Sequence, residues 1–276
     1  AAATATLSGC VMMPATDTGR QALSAPVSGG LLHIRTDNGS VEVRRADVSV
    51  IEIEATVRAI GQDRVEQTRI VAEPGADGGT RVYVVWPDGQ RRSNEGCSFV
   101  IRTPDADGVD IDTSNGRVTI VGLRGQARVD TSNGSIDIQD HAGGVWADTS
   151  NGRINLRNVA GDVVADTSNG SIEALDVAGK VEADTSNGRV LVRLASGCQG
   201  PLDVDTSNGS VRVEVAPGFA GVLDARTSNG SVRVLGASSV DGGRNSAMAT
   251  FGGGGDRSVI RTSNGSVEIV TAGVER

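Results

Sequence analysis

The chain has 276 residues, of which 38 are glycine and only 2% aromatic, and it carries a formal net charge of −8. So few rings exclude a conventional globule filled by Phe, Tyr and Trp, whereas stacked Val, Ile, Leu and Ala suit the narrow interior of a repeat protein. The acidic balance, with no basic run to counter it, excludes a nucleic-acid-binding surface.

In chain order, Ala1–Thr6 is small and apolar and leads into Leu7-Ser8-Gly9-Cys10. That tetrapeptide resembles the lipobox of bacterial lipoproteins. The resemblance implies that residues 1–9 are the remnant of an export signal and that Cys10 is lipidated, so attachment to a membrane is by acyl chains. Val11, where an Asp would retain a lipoprotein at the inner membrane, implies the outer membrane. No run of 18 apolar residues exists to form a spanning helix. Residues 10–28 lack periodicity and read as the lipidated cysteine and a flexible tether.

Residues 29–107 read as a strand-rich N-terminal part. Leu31–Arg35, Ser40–Val43 and Val48–Val57 alternate as strands, and Gln62–Thr68 is polar, without Gly or Pro, and predicts a helical turn. Arg69–Glu73 and Arg81–Trp86 are strands joined by the glycine-rich turn 74–79, and Cys97–Arg102 is a further strand.

From residue 108 a repeat takes over. Asp-Thr-Ser-Asn-Gly begins at Asp112, Asp130, Asp148, Asp166, Asp184 and Asp205, and Arg-Thr-Ser-Asn-Gly at Arg226 and Arg261; Arg35-Thr36-Asp37-Asn38-Gly39 is an earlier cousin. The spacing is 18 residues up to Thr185, then 21, 21 and 35. A fixed period of this length marks a stacked repeat. Within Gly161–Ala178, alternation places Val163, Ala165 and Thr167 on one face and Val164, Asp166 and Ser168 on the other. Asn169-Gly170 is a corner, since both residues tolerate positive φ. The predicted fold is all-β: a parallel β-solenoid of ~18-residue coils over residues 108–276. An antiparallel chain of Asn-Gly hairpins is the alternative. Three-residue insertions near 197–201 and 217–219 predict loops bulging from one corner, residues 236–258 read as a degenerate coil or mobile loop, and 259–271 as the last coil.

Asn115, Asn133, Asn151, Asn169, Asn187, Asn208, Asn229 and Asn264 would stack as a hydrogen-bonded ladder, as in cross-β assemblies. Six of the nine corner asparagines stand in Asn-Gly-Ser sequons, read as structural corners. The aspartates Asp112, Asp130, Asp148, Asp166, Asp184 and Asp205 would stack at about 4.8 Å, where unit charges repel by about 0.9 kcal/mol even in bulk water. Backbone N–H groups of their own turns, and Arg117, Arg153 or Arg189, are the expected offset, making the column a structural turn ladder. A column of Ca²⁺ is the competing reading, but one Asp per coil is a thin ligand set and no metal or other cofactor is expected. Ice binding by the Thr ranks is disfavoured by their charged neighbours. His33 and His141 have no catalytic spacing around them and read as surface residues, and Trp86 and Trp146 as half-buried strand positions. Cys97 and Cys198 leave a disulfide open. An oxidising compartment invites one, yet about five coils, roughly 24 Å at strand spacing, would separate them.

The unit V-x-A-D-T-S-N-G-x-I-x-L-x-x-V-x-G, preceded by Ile101–Gly116, resembles the putative-adhesin family of bacterial envelope proteins over roughly residues 30–271. The resemblance implies an exported or membrane-anchored, non-catalytic protein and transfers no catalytic residue. The expected role is a surface adhesin or envelope scaffold, with an envelope polysaccharide or protein as ligand. Two alternatives stand: an envelope-stress sensor binding a membrane or peptide, and a carbohydrate-active enzyme.

Overall fold

The computed structural model describes residues 16–27, 29–104 and 106–273. The signal remnant, Cys10 and the first part of the expected tether lie outside the described residues. Four strands come first, β1 (Asp17–Ala25), β2 (Leu32–Thr36), β3 (Val41–Arg45) and β4 (Ile51–Ala59). The polar run becomes the short helix α1 (Gln62–Gln67), followed by β5 (Arg69–Pro74), β6 (Thr80–Val85) and β7 (Gly96–Thr103). Strands then come in pairs: β8 and β9 (Gly108–Thr113, Val118–Val121), β10 and β11 (Gln126–Thr131, Ile136–His141), β12 and β13 (Val145–Thr149, Ile154–Val159), β14 and β15 (Val163–Thr167, Ile172–Val177). The series continues with β16 and β17 (Val181–Thr185, Val190–Leu194), β18 and β19 (Leu202–Thr206, Val211–Val215), and β20 and β21 (Gly221–Thr227, Val232–Leu235). A hairpin, β22 and β23 (Ser239–Gly242, Ser246–Phe251), precedes β24 and β25 (Arg257–Thr262, Val267–Thr271).

These strands form two sheets and a solenoid-like stack. Sheet A has 12 strands in the order β1-β4-β7-β3-β9-β11-β13-β15-β17-β19-β25-β21, and sheet B 13 in the order β22-β23-β20-β24-β18-β16-β14-β12-β10-β8-β2-β6-β5. Each coil gives one strand to each sheet. The Asn-Gly corner therefore crosses between sheets instead of closing a hairpin, and equivalent residues pair in parallel, as in Asp148↔Asp166 and Ile154↔Ile172. Val163, Ala165, Ile172, Ala174 and Val177 point inward and are buried, and their counterparts form continuous columns. The columns also bury a threonine per coil. In most coils its hydroxyl donates to the corner glycine carbonyl of the adjacent coil, as Thr149 to Gly134 (3.0 Å), Thr167 to Gly152 (3.0 Å) and Thr185 to Gly170 (2.9 Å), whereas the Thr131 hydroxyl is buried without a partner. Each such bond satisfies a buried hydroxyl that would otherwise cost about 1–3 kcal/mol.

The corner glycines are not there for positive φ. A Cβ on Gly152 would stand 1.7 Å from the Gly134 carbonyl oxygen, and one on Gly170 equally close to Gly152. Close stacking, not backbone handedness, demands glycine. Left-handed residues instead occupy the other corner, at Gly122, Asp140, Asn158 and Asp176, again 18 residues apart. Asx side chains tolerate that region best among non-glycine residues.

Both ends depart from the sequence order. The first coil, β2 with β3, lies between β6 with β7 and β8 with β9. The last coil in sequence, β24 with β25, lies between β18 with β19 and β20 with β21. Two expectations are corrected here. Residues 17–25 of the supposed tether are strand β1, antiparallel to β4 from Asp17↔Ala59 to Ala25↔Ile51. Residues 236–256 are a hairpin whose β23 runs antiparallel to β20 and covers its outer edge. The insertions are also less loop-like than expected. Cys198 and Phe219 are buried, and Phe219 packs edge-on against Phe251 of the hairpin with ring centroids 5.8 Å apart. Cys97 and Cys198 are both free and buried, and burial pushes the Cys97 thiol up to about 12.

Candidate functional site

The site is built from the outward positions of sheet B, because alternation sends every second residue there. One rank follows the register Asp112↔Asp130↔Asp148↔Asp166↔Asp184↔Asp205. It ends in Arg261 and Arg226 on one side and in Arg35 and Tyr83 on the other. Among the described residues, none of the six carboxylates makes a hydrogen bond or ion pair. The expected turn capping by aspartate is therefore corrected. Arg117 lies beyond the corner and reaches Ser135 (3.0 Å) and Asp137 (3.8 Å), and Arg153 reaches Ser171 (3.1 Å). The corner separates those cations from the rank. Burial raises the carboxyl pKa of Asp148, Asp184 and Asp205; neighbouring carboxylates add to the shift, and Arg261 at Asp205 and Arg128 at Asp148 offset part of it.

The neighbouring outward rank is internally paired near the N-terminal end. His33 is held between Asp77 (2.8 Å) and Asp110 (3.1 Å), and these contacts outweigh burial to raise its pKa. The Arg128 guanidinium lies 3.7 Å from the centroid of the Trp146 ring, a cation–π contact that occupies that indole. Where β6 leaves β2, a notch of about 370 Å³ is lined by His33, Arg35, Arg81, Tyr83, Trp86 and Asp112, among others. Trp86 is itself buried, and its indole N–H has no hydrogen-bond partner. Sequence reasoning missed this notch because two of its walls, β2 and β6, pair residues such as His33 and Arg81 that share no repeat.

The corner asparagines form one continuous file. Side-chain amide donates to side-chain carbonyl from Asn229 to Asn264 (2.9 Å), Asn264 to Asn208 (2.9 Å) and Asn208 to Asn187 (2.9 Å). It continues through Asn187, Asn169, Asn151, Asn133, Asn115 and Asn38, with distances of 2.6–3.0 Å. All eight bonds point the same way, so the amide dipoles add along the stack. Backbone bonds reinforce the file, as Asn169 N–H to Ser150 O and Asn187 N–H to Ser168 O, both 2.9 Å.

Chemically, the arrangement offers a stiff polar surface. His141, expected at the surface, is instead buried and donates its Nε2–H to the Gly125 carbonyl (2.9 Å), and burial lowers its pKa. Neither histidine contacts a hydroxyl or thiol nucleophile among the described residues, and no cluster of three or more His, Cys, Asp or Glu there could hold a metal ion. No helix among them is long and apolar enough to cross a membrane.

No family model and no curated protein matches the chain. Among solved structures, a putative adhesin from Bacteroides fragilis is 13% identical, with 93% of this chain and 98% of that chain covered and a TM-score of 0.54. The two share a fold. A putative adhesin from Parabacteroides distasonis is 12% identical over 92% of this chain and 97% of its own, with a TM-score of 0.42. A putative lipid binding protein from the same species is 12% identical over 93% and 97%, with a TM-score of 0.35.

Proposed function

We propose that this chain is a non-catalytic envelope protein, a parallel β-solenoid of ~18-residue coils carried on a membrane by a lipid on Cys10, that works as a surface adhesin or envelope scaffold. The observation that carries the reading is the rank of six carboxylates, outward on a rigid sheet and without partners. Ionising Asp148, Asp184 and Asp205 in place costs electrostatic free energy, and a ligand with spaced cations or hydroxyls along the rank would relieve that cost. An envelope polysaccharide or a basic protein segment has that repetition. The fold shared with the putative adhesin from Bacteroides fragilis is compatible with this role and assigns no ligand.

The test is co-sedimentation with purified cell-wall and outer-membrane fractions, in Ca²⁺ and then in chelator, comparing the wild type with Asp130→Asn/Asp166→Asn/Asp184→Asn. Saturable binding that the triple variant loses while keeping its circular dichroism supports the rank as the ligand face. Equal binding by both proteins removes the rank from the reading. A second reading, a sensor of a peptide or other small ligand, is favoured by the notch lined by Arg35, Arg81 and Tyr83. It predicts binding that Arg35→Ala removes and the triple variant keeps.

A further inference from the structure

A second recess lies beside the Asn-Gly corners at the N-terminal end of sheet A, apart from the acidic rank of sheet B. β1 and β4 bring Thr18, Thr56 and Arg58 to it, and β7 brings Ser98. The first two corners of the stack add Ser40 and Arg117. The recess has a volume of about 580 Å³, within the roughly 300–1,000 Å³ of small-molecule sites. Its floor is bare backbone. A Cβ on Gly39 or Gly96 would stand 1.9 Å from the Cys97 or Asn38 carbonyl oxygen, and one on Gly116 1.8 Å from that of Gly39. The corner glycines continue along the stack, but among the described residues β1 and β4 wall them at this end alone.

The charge here is the reverse of the chain's. A protein of net charge −8 lines this recess with two arginines and, among the described residues, no carboxylate. Arg58 makes no hydrogen bond or ion pair among those residues, and Arg117 reaches Ser135 (3.0 Å) with Asp137 at 3.8 Å. The asparagine file adds to the field. Each side-chain amide donates toward this end, the last from Asn115 to Asn38 (2.6 Å), and Asn38 donates to the Glu95 carbonyl (3.1 Å). The backbone N–H groups of Asn133 and Asn115 point the same way, to the carbonyls of Ser114 (2.9 Å) and Asp37 (3.0 Å). The positive end of these summed dipoles lies at Asn38 and Asn115, which line the recess. As at a helix N-terminus, such an end favours an anion. The hydroxyls of Thr18 and Thr56 have no partner among the described residues, and Ser98 accepts the Ser40 N–H (3.1 Å) while keeping its own proton to donate.

We propose that this recess binds a sugar phosphomonoester, with the phosphate held by Arg58 and Arg117. At neutral pH such a group carries a charge of about −1.5 to −2. That matches two guanidinium groups and the positive end of the file better than a single carboxylate does. Arginine forks present paired N–H donors to phosphate oxygens. The bare glycine floor leaves room for a ring beside the phosphate, and the hydroxyls of Thr18, Ser40, Thr56 and Ser98 meet those of the sugar. The phosphosugar is either free in solution or the headgroup of a lipid surface, and both present the same chemistry. The site uses no residue of the acidic rank, so either reading can fail without the other.

The experiment titrates the full chain, carrying Cys10→Ser, with glucose 1-phosphate, with inorganic phosphate and with glucose, read by calorimetry. Saturable binding of glucose 1-phosphate is expected, with inorganic phosphate about tenfold weaker and glucose weaker still. Arg58→Gln and Arg117→Gln should each weaken it about tenfold. Ser40→Asp, which sets a carboxylate at an exposed edge of the recess, should abolish it. Arg153→Gln, two coils on and outside the recess, should leave it unchanged, and circular dichroism checks that every variant is folded. Sedimentation with phosphatidylcholine vesicles holding lipid A separates the two sources. Pelleting that glucose 1-phosphate competes away assigns a headgroup, and binding in solution without pelleting assigns the free sugar phosphate. Equal affinity in Arg58→Gln and Arg153→Gln, or glucose bound as tightly as its phosphate, would overturn the proposal. So would inorganic phosphate bound as tightly as glucose 1-phosphate, or pelleting that both arginine variants keep.

Discussion

The two ends of the stack solve the same problem with unequal means. Each tucks a terminal coil one place inward: residues 32–45 lie between the coils at 80–103 and 108–121, and residues 257–271 between those at 202–215 and 221–235. Each then adds antiparallel strands that stop the parallel series, in both sheets at the N-terminal end and in sheet B alone at the other, because an open strand edge is a template for further pairing. At the N-terminal end the cover is thick. β1 lies along β4, Gln21 ties to the Thr68 carbonyl (2.7 Å) and the Ile70 N–H (3.3 Å), and α1 delivers Arg64 to the fully buried Glu95. At the C-terminal end a single hairpin does the work, and Val240 and Met248 remain 54% and 43% exposed. One end is sealed by a core, the other by a lid, and the glycine loop 252–255 that follows the hairpin belongs to the lid.

The largest effect should come from the buried ion pair of the sealed end. Glu95 accepts from Arg64 Nε and from Nη2 (3.1 Å) and from the Arg92 N–H (2.8 Å). Burial alone would raise its pKa, but these donors hold it below the ordinary value. Glu95→Ala strands the Arg64 charge and should cost about 3–5 kcal/mol. Hydrogen exchange should show protection lost first in β1, α1 and β4, with the coils at 145–194 still protected. A uniform loss along the chain would mean that the end and the stack melt as one unit.

Next is a glycine comparison between the regular stack and the lid. Gly152→Ala drives a methyl group into the Gly134 carbonyl and should cost about 3 kcal/mol, read by denaturant unfolding. Gly253, in the loop after the hairpin, has open space around it, and Gly253→Ala should change stability by no more than about 0.5 kcal/mol. Equal effects would refute the claim that stacking, not turn handedness, fixes the corner glycines.

The asparagine file should matter less per residue, since its members are exposed. Asn169→Ala removes one bond to Asn151 and one from Asn187, each 2.9–3.0 Å. About 1–2 kcal/mol is expected for the two together. The matching change at the lid, Asn229→Ala, removes the single bond to Asn264 and should cost about half as much. A ratio near one would show that the bonds are not the source of the loss.

How much of this was legible in the sequence differs along the chain for physical reasons. Identical letters at an 18-residue period announce that equivalent residues meet, and the parallel registers and the file of asparagines follow from that alone. The order of the coils does not. The two 21-residue intervals look alike, yet the first moves one place along the stack and the second moves two. Every coil presents the same complementary edge, so local pattern cannot say which coil sits beside which. Strand β1 was hidden because its inward positions include Gly19 and Gln21, which carry no apolar signal. The aspartates were a different failure. The alternation that set Asp166 opposite Ala165 already pointed it outward, and the expectation of a capped turn overrode that evidence.

The smallest predicted effect isolates the rank itself. Asp148 and Asp184 have raised folded-state pKa values, from burial first and from the neighbouring Asp166 next. An acid with a raised pKa binds its proton more tightly when folded, so the rank destabilises the fold once ionised and the penalty fades as the pH falls through the raised pKa. Glu95, Asp176 and Asp224 have depressed values. Their contributions are therefore present above the ordinary carboxylate range and are lost on acidification. The acid titration of the wild type mixes these opposite signs, but the difference between the wild type and Asp148→Asn/Asp184→Asn does not. The variant should be more stable at neutral pH by about 0.5 kcal/mol after solvent screening. The gain should shrink at high salt, because the Debye length falls to about 3 Å at 1 M, and it should vanish at pH values where the wild-type carboxyls are protonated in both states. A gain that persists in acid or in salt would mean that asparagine stabilises the strand by pairing along the column, and that the rank carries no electrostatic strain for a ligand to relieve.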